Sequence, residues 1–597
     1  MTGAADWPNL ATMFFRQAAK LGEAPFLWHK QDGSWQPESW ASVAHRTAAF
    51  TRALTALGVA PGDRIALVSE SRPEWPIADI AIMSAGGITV PAYTTNAVRD
   101  HLHVFRDSGA TGVIVSGASL AERVLPAAVE ATDMRFIIVI DDAALDPHAG
   151  VDIHQWDALL GDQDASPDGV AARAEETLDR ATTACLIYTS GTGGLPKGVM
   201  LSHGAILANC QGAQAMLGAA NATDAVYLSF LPLSHSYEHT VGQFLPISMG
   251  AQLYYAEGID KLSANMLEAR PTLMTAVPRL YESMHDRIQR GVRQAGGKTE
   301  ALFNKTLELG RKRYETGRLG PLESIIDAVL DRLVRRKVQA RFGGRLKALV
   351  SGGAPLNYEI GLFFTALGVP ILQGYGQTEA APVISCNPPG RAKIETVGPP
   401  LDGVEVEIAG DGEILVRGDL VMQGYWGNTE ATLETIRNGW LHTGDIGEFD
   451  ADGYLSITDR KKDIIVNSGG DNLSPQRVEG FLSLQREIAQ AMVHGDRRPH
   501  LVALIVPDPE FARDWARENG KDADMTVLIQ DADFRAAISA AIDRVNAGLS
   551  VIERVRRFTL TDEAFTIDNG MMTPTMKIRR HAILEKFGDR LTALYGG

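Results

Sequence analysis

Short runs of consecutive apolar, β-favouring residues recur between stretches of helical periodicity, and this alternation most constrains the fold. Arg64-Ile65-Ala66-Leu67-Val68, Thr111-Gly112-Val113-Ile114-Val115 and Phe136-Ile137-Ile138-Val139-Ile140 are apolar at successive positions rather than alternate ones. Such strands are buried on both faces, which requires helices above and below a mostly parallel sheet. The expected class is α/β.

At 597 residues the chain exceeds what one hydrophobic core supports, so at least two domains are expected. The pattern restarts at Asp459-Arg460-Lys461-Lys462-Asp463. The expected division is a large domain over 1–458 with parallel-rich sheets and helices, and a smaller α+β domain over 459–597. In the smaller domain, Leu501 to Val506 reads as a strand and Phe534 to Asn546 as a helix. A charged, helix-favouring insertion spans about 285–345, with Arg332-Leu333-Val334-Arg335-Arg336-Lys337 at its basic centre. It reads as a solvated amphipathic helical pair, or as a basic face for peripheral contact with a membrane.

A net charge of −16 argues against a general nucleic-acid or anionic-lipid binder, because both surfaces repel it, and leaves open only a local basic patch. The three cysteines, Cys185, Cys210 and Cys386, are too far apart for a metal or disulfide framework and fit a reducing compartment. The first residues lack the basic start and apolar core of a signal peptide. The apolar stretch from Ile77 to Tyr93 is too short and interrupted to span a bilayer. A cytoplasmic protein is expected, with any membrane contact peripheral and on the inner face. Oligomeric state is open, a homodimer being one alternative.

The segment Tyr188-Thr189-Ser190-Gly191-Thr192-Gly193-Gly194-Leu195-Pro196-Lys197-Gly198 combines glycines, hydroxyls and one lysine. Glycines let backbone N–H groups approach phosphate oxygens, the hydroxyls of Thr189, Ser190 and Thr192 donate further bonds, and Lys197 supplies charge. A Walker loop needs Gly before the lysine and Ser or Thr after it, whereas Pro196 and Gly198 occupy those places. Downstream come Leu349-Val350-Ser351-Gly352-Gly353-Ala354-Pro355, Gln373-Gly374-Tyr375-Gly376-Gln377-Thr378-Glu379, Leu441-His442-Thr443-Gly444-Asp445 and Met572-Thr573-Pro574-Thr575-Met576-Lys577.

Together and in this order, these segments resemble the adenylate-forming superfamily of acyl-CoA synthetases, luciferases and peptide-synthetase adenylation domains. The phosphate loop departs from the family pattern at Gly193, where a second threonine is usual. The resemblance implies ATP-dependent activation of a carboxylate and assigns the loop residues Thr189, Ser190, Gly191, Thr192, Gly194 and Lys197 to the phosphates. It places adenine against Gly353, Ala354, Pro355, Gln373, Gly374, Tyr375 and Gly376, with Tyr375 stacking on the base. Thr378 touches the α-phosphate, Glu379 with Thr189 holds Mg²⁺, Asp445 binds the ribose from a turn with its carboxylate free, and Arg460 reaches the nucleotide. Lys462 is the hinge of a mobile C-terminal domain and counts with the nucleotide-binding residues, Gly469 and Gly470 face the CoA side, and Lys577 is catalytic together with Lys197 and His235.

Leu231-Pro232-Leu233-Ser234-His235-Ser236-Tyr237-Glu238 resembles the long-chain branch and places His235 beside the substrate carboxylate. The helical insertion is also similar to one in long-chain acyl-CoA synthetases. The resemblance therefore implies a long-chain fatty-acid:CoA ligase taking fatty acid, ATP and CoA. Two alternatives stay open: delivery of the acyl group to a carrier protein, and a nucleotide-binding regulator that has lost turnover.

Overall fold

The computed structural model describes residues 7–142, 151–161, 166–189, 195–218, 224–461, 465–468, 472–567, 569–573 and 578–596. Two eight-stranded sheets dominate it. In one, strands Thr183–Thr189, Ile88–Pro91, Arg64–Val68, Ala110–Val115, Phe136–Val139 and Asp152–Gln155 run parallel side by side. Lys197–Ser202 and Gly424–Tyr425 extend it antiparallel at one edge.

In the other sheet, Ile371–Gly376, Ala348–Ser351, Leu273–Ala276, Val226–Ser229, Gln252–Tyr255 and Pro25–Gln31 are parallel neighbours. Antiparallel Val383–Cys386 and Ser34–Ser39 close its two edges. The runs read from the sequence as strands, Arg64–Val68, Ala110–Val115 and Phe136–Val139, are adjacent inner strands of its counterpart, and all of Phe136–Val139 is buried.

The apolar stretch beginning at Ile77 is core, shared between the helix Glu74–Ser84 and the strand Ile88–Pro91. Every residue of that helix from Trp75 to Ser84 is buried, as expected where a helix is apolar all round. Asp79, the acid in its buried part, is fully buried and is met by Nε2 of His239 at 2.9 Å and by the amide of Gln243 at 2.7 Å. Those two residues lie on the π-helical turn Glu238–Phe244, which follows a strand of the other sheet. The polar pair therefore pins the two sheets to each other through the core. No described helix is long and apolar enough to cross a membrane.

The insertion is larger than a helical pair. Helices Pro278–Ala295, Gly297–Thr316, Pro321–Leu330 and Arg336–Arg341 make it up, the last two joined by the π-helical turn Asp331–Arg335. Its basic centre is not uniformly solvated: Arg335 is 4% exposed. Nε of Arg335 donates to the Ala366 carbonyl at 2.7 Å and Nη2 to Asp327 Oδ1 at 2.7 Å, because a guanidinium can be buried only with its donors satisfied.

A third, antiparallel sheet contains Glu405–Ile408, Glu413–Arg417, Trp440–Phe449, Ile436–Arg437 and Leu455–Arg460. The C-terminal domain is built on Ile488–His494, Leu501–Pro507 and Val555–Leu560. Its central strand is buried throughout. Leu501, Ala503 and Ile505 join one apolar cluster with helix Ala532–Ala547, while Val502, Leu504 and Val506 join another with Ile583 and Phe587. That division is the period of two expected for a strand covered on both faces.

Candidate active site

Three motifs leave the carboxyl ends of parallel strands in one sheet. Leu231 to Ser236 follows Val226–Ser229, the Gly352 to Leu356 turn follows Ala348–Ser351, and Gln377 to Glu379 follows Ile371–Gly376. Ligand sites in open α/β sheets form at such ends. Gly353 takes φ +81°, so the expected glycine turn is present. The side chain of Gln373 is committed to holding that turn: its Oε1 accepts from the Leu356 N–H at 2.9 Å and its amide donates to the Thr396 carbonyl at 3.0 Å.

The acyl-side motif and the Tyr375 segment touch directly. The hydroxyls of Ser236 and Thr378 are 2.9 Å apart. Nδ1 of His235 accepts the Tyr237 backbone N–H at 3.1 Å, which leaves Nε2 to carry the proton in the neutral ring. The Tyr237 hydroxyl donates to the Val350 carbonyl, and its ring lies against Gly352, where an added Cβ would sit 3.0 Å from the nearest ring carbon.

The other large sheet contributes the ends of the phosphate loop. Thr189 and Lys197 are cross-strand partners, so residues 190–196 connect an antiparallel pair. His103 Nε2 is 2.8 Å from the Pro196 carbonyl. The Lys197 ammonium lies 4.9 Å from the centre of the Tyr425 ring, and the Tyr425 hydroxyl donates to Glu379 Oε1 at 2.9 Å. Tyr425 thus links the loop lysine to the expected metal carboxylate. Nothing near Tyr425 in the sequence signals this, since the contact spans 46 positions.

The third sheet supplies the remaining groups. Asp445 does not sit in a turn with a free carboxylate, as the sequence suggested. It lies inside the strand Trp440–Phe449, opposite Arg460 in register, and is 3% exposed. Tyr375 donates its hydroxyl to Oδ2 at 2.6 Å and Arg460 donates Nε to Oδ1 at 2.8 Å. A carboxylate accepts about four hydrogen bonds, so two donors leave capacity for diol hydroxyls. Burial, and then the Asp445 charge, hold the Tyr375 phenol well above its ordinary pKa, so it remains a donor.

Glu413, which motif reading did not single out, supports this strand from behind. It accepts the Gly444 N–H at 2.9 Å, His442 Nδ1 at 3.2 Å and the Lys461 ammonium at 3.2 Å. Gly444 takes φ +71°, a conformation that aims its N–H at Glu413. Burial pushes the Glu413 pKa up, but the His442, Lys461 and Gly444 donors outweigh it, and the net displacement is downward.

Ser190, Gly191, Thr192, Gly193, Gly194, Lys462, Gly469, Gly470 and Lys577 lie outside the described residues. A separate cleft of about 490 Å³, lined by residues including Lys30, Arg72, Glu74 and Asp141, contains no motif residue. Its Arg72 is already paired with Glu74 and Asp141 at 2.7 and 2.8 Å.

The family model of AMP-binding enzymes matches residues 14–426, and that of the AMP-binding enzyme C-terminal domain matches 462–597. The chain is 35% identical over 591 residues to the long-chain-fatty-acid–CoA ligase FadD15 of Mycobacterium bovis, covering 98% of this chain and 97% of that one. It is 31% identical over 595 residues to long-chain-fatty-acid–CoA ligase 1 of Homo sapiens, covering 94% and 83%. The solved structure of the anthranilate CoA ligase AuaEII in complex with anthranoyl-AMP has the same fold, with a TM-score of 0.73 at 21% identity over 99% of this chain and 100% of that one. With both family domains matched in order, the chain belongs to the AMP-binding enzymes, in the branch of its long-chain-fatty-acid–CoA ligase relatives.

Proposed function

We propose that this protein is an AMP-forming long-chain fatty-acid:CoA ligase. The observation that carries the reading is the convergence of Tyr375, Thr378, Glu379, Asp445 and Arg460 at the sheet ends beside Ser236 and His235. Its support in sequence is the near full-length similarity to proteins bearing that name.

In the first half-reaction a fatty carboxylate oxygen bonds to the α-phosphorus of ATP, and the bond to the bridging oxygen breaks, releasing pyrophosphate. Little covalent machinery is needed, so alignment and charge neutralisation do the work. Asp445 and Arg460 hold the ribose, Tyr375 with Gly353, Ala354, Pro355, Gln373, Gly374 and Gly376 frames the adenine, and Thr378 meets the α-phosphate. Thr189, Ser190, Gly191, Thr192, Gly194 and Lys197 bind the remaining phosphates. His235 stands beside the incoming carboxylate, and Lys577 neutralises charge developing between carboxylate and α-phosphate.

Mg²⁺ fits the donor set, since Glu379 and Thr189 offer hard oxygens and substrate phosphates can complete an octahedron. When bound it would offset negative charge on those phosphates. In the second half-reaction the CoA sulfur attacks the acyl carbon and AMP departs. Lys462 is the pivot about which the domain over 459–597 turns to bring Gly469 and Gly470 to the CoA side. A cytoplasmic location with peripheral contact at the membrane's inner face belongs to the same reading.

Pyrophosphate and AMP release are measured with Mg·ATP and saturated acids from acetate to stearate, with and without CoA. CoA-dependent turnover greatest with long chains is expected. Adenylation without thioester would point to a carrier-protein acceptor, and no release with any acid would overturn the ligase reading. Lys577→Ala is expected to suppress adenylation far more than thioester formation from supplied acyl-adenylate.

A further inference from the structure

Along the insertion, the helix Pro321–Leu330 and its π-helical continuation leave a row of apolar side chains in water. Leu322 is 70% exposed, Ile325 66%, Val329 52% and Leu333 45%. Their spacing of three, four and four puts them on one helical face. Single exposed leucines are ordinary, but a contiguous row is the mark of a surface that meets something else.

The row cannot turn inward. On the opposite face Asp327, Leu330 and Arg335 are 3%, 2% and 4% exposed, and Arg335 is tied to Asp327 and to the Ala366 carbonyl.

The charges beside the row are one-sided. Arg332, Arg336 and Lys337 are exposed along the same stretch. Of the neighbouring acids, Asp327 pairs with Arg335 and Glu323 with Lys312 and the Gly320 N–H, while Asp331 offsets Arg336, so Arg332 and Lys337 carry the net charge of the face. The chain's net charge of −16 opposes an acidic surface as a whole, but this locally basic, apolar face is complementary to acidic headgroups over hydrocarbon. A symmetric contact with a second copy would instead set these cations against their own equivalents.

We infer that this face docks on an anionic phospholipid bilayer, with Leu322, Ile325, Val329 and Leu333 entering the headgroup boundary and Arg332 and Lys337 meeting lipid phosphates. The inference rests on the peripheral-contact part of the proposed function and is independent of the ligase chemistry.

The test is flotation of the full chain with phosphatidylcholine vesicles, with and without phosphatidylglycerol, at low and high salt. Binding that needs the anionic lipid is expected. The pairs Ile325→Ser with Val329→Ser, and Arg332→Glu with Lys337→Glu, are each expected to lower the partition coefficient about tenfold or more. All four positions are exposed, and unchanged circular dichroism and turnover of soluble octanoate confirm that the variants fold. No vesicle binding by the wild type, or binding by both variants equal to that of the wild type, overturns the inference. Unchanged vesicle binding with a dimer converted to monomer in sedimentation would assign the face to a second copy. Turnover of octanoate is read separately, so failure of the ligase reading is distinguishable from failure of the surface.

Discussion

The phenol of Tyr375 donates a 2.6 Å hydrogen bond to Asp445, 70 positions away, and the same carboxylate takes Arg460 on its other oxygen at 2.8 Å. The proposed base platform and the proposed ribose acceptor are therefore one unit. Hydrogen bonds to a charged group contribute roughly 1.5–3 kcal/mol. Tyr375→Phe keeps the aromatic face and removes this bond, so KM for ATP is expected to rise about tenfold with a smaller change in kcat. Asp445→Ala, which removes both the Tyr375 and the Arg460 bonds, is expected to do more. Steady-state kinetics in ATP decide it, and an unchanged KM in the Phe variant would separate the two groups.

Glu413 gathers Gly444, His442 and Lys461 on one carboxylate. Glu413→Gln replaces one acceptor with a donor facing donors, which loosens the strand beneath Asp445 and leaves Lys461 on Asp411 alone. The expected outcome is a several-fold higher KM for ATP without loss of the folded state. Equal losses with ATP and with supplied acyl-adenylate would show that Glu413 acts elsewhere than on nucleotide binding.

Glu238 is fully buried, with Ser229 Oγ on one oxygen and Thr275 Oγ1 on the other, each at 2.5 Å. Burial raises its pKa from 4.5 to about 7, the two hydroxyl donors offsetting only part of that. The folded state then binds more protons than the unfolded one between these values. Its contribution to stability is present in full below pH 4.5 and is lost as pH rises through about 7. Denaturant titrations across that window are expected to show stability falling with pH in the wild type and a flatter profile in Glu238→Gln. Parallel profiles would refute the assignment.

Arg335 and Arg332 lie three residues apart in a basic run, yet one is 4% exposed and the other is at the surface. Arg335→Glu sets a second acid against buried Asp327 and is expected to cost about 3–5 kcal/mol of stability. Arg332→Glu is expected to stay within about 0.5 kcal/mol. Melting temperatures of the two variants check this. Charge reversal at Arg335 therefore probes folding, and membrane contact is probed at Arg332 and Lys337.

The chain's own residues declared the parallel-sheet class, because runs such as Phe136–Val139 are apolar at every position and only a doubly covered strand accommodates that. They also declared the order of the motifs and the chemistry of hydroxyls, lysine and carboxylates within each. These properties are local: they depend on residue type and spacing over a few positions. The tertiary structure alone decided that Asp445 is buried under Tyr375 and Arg460, that Tyr425 joins Lys197 to Glu379, and that Arg335 faces inward. Each depends on a partner brought in from another strand or helix, and for a polar side chain it is the presence of that partner, not its own identity, that determines whether burial is tolerated.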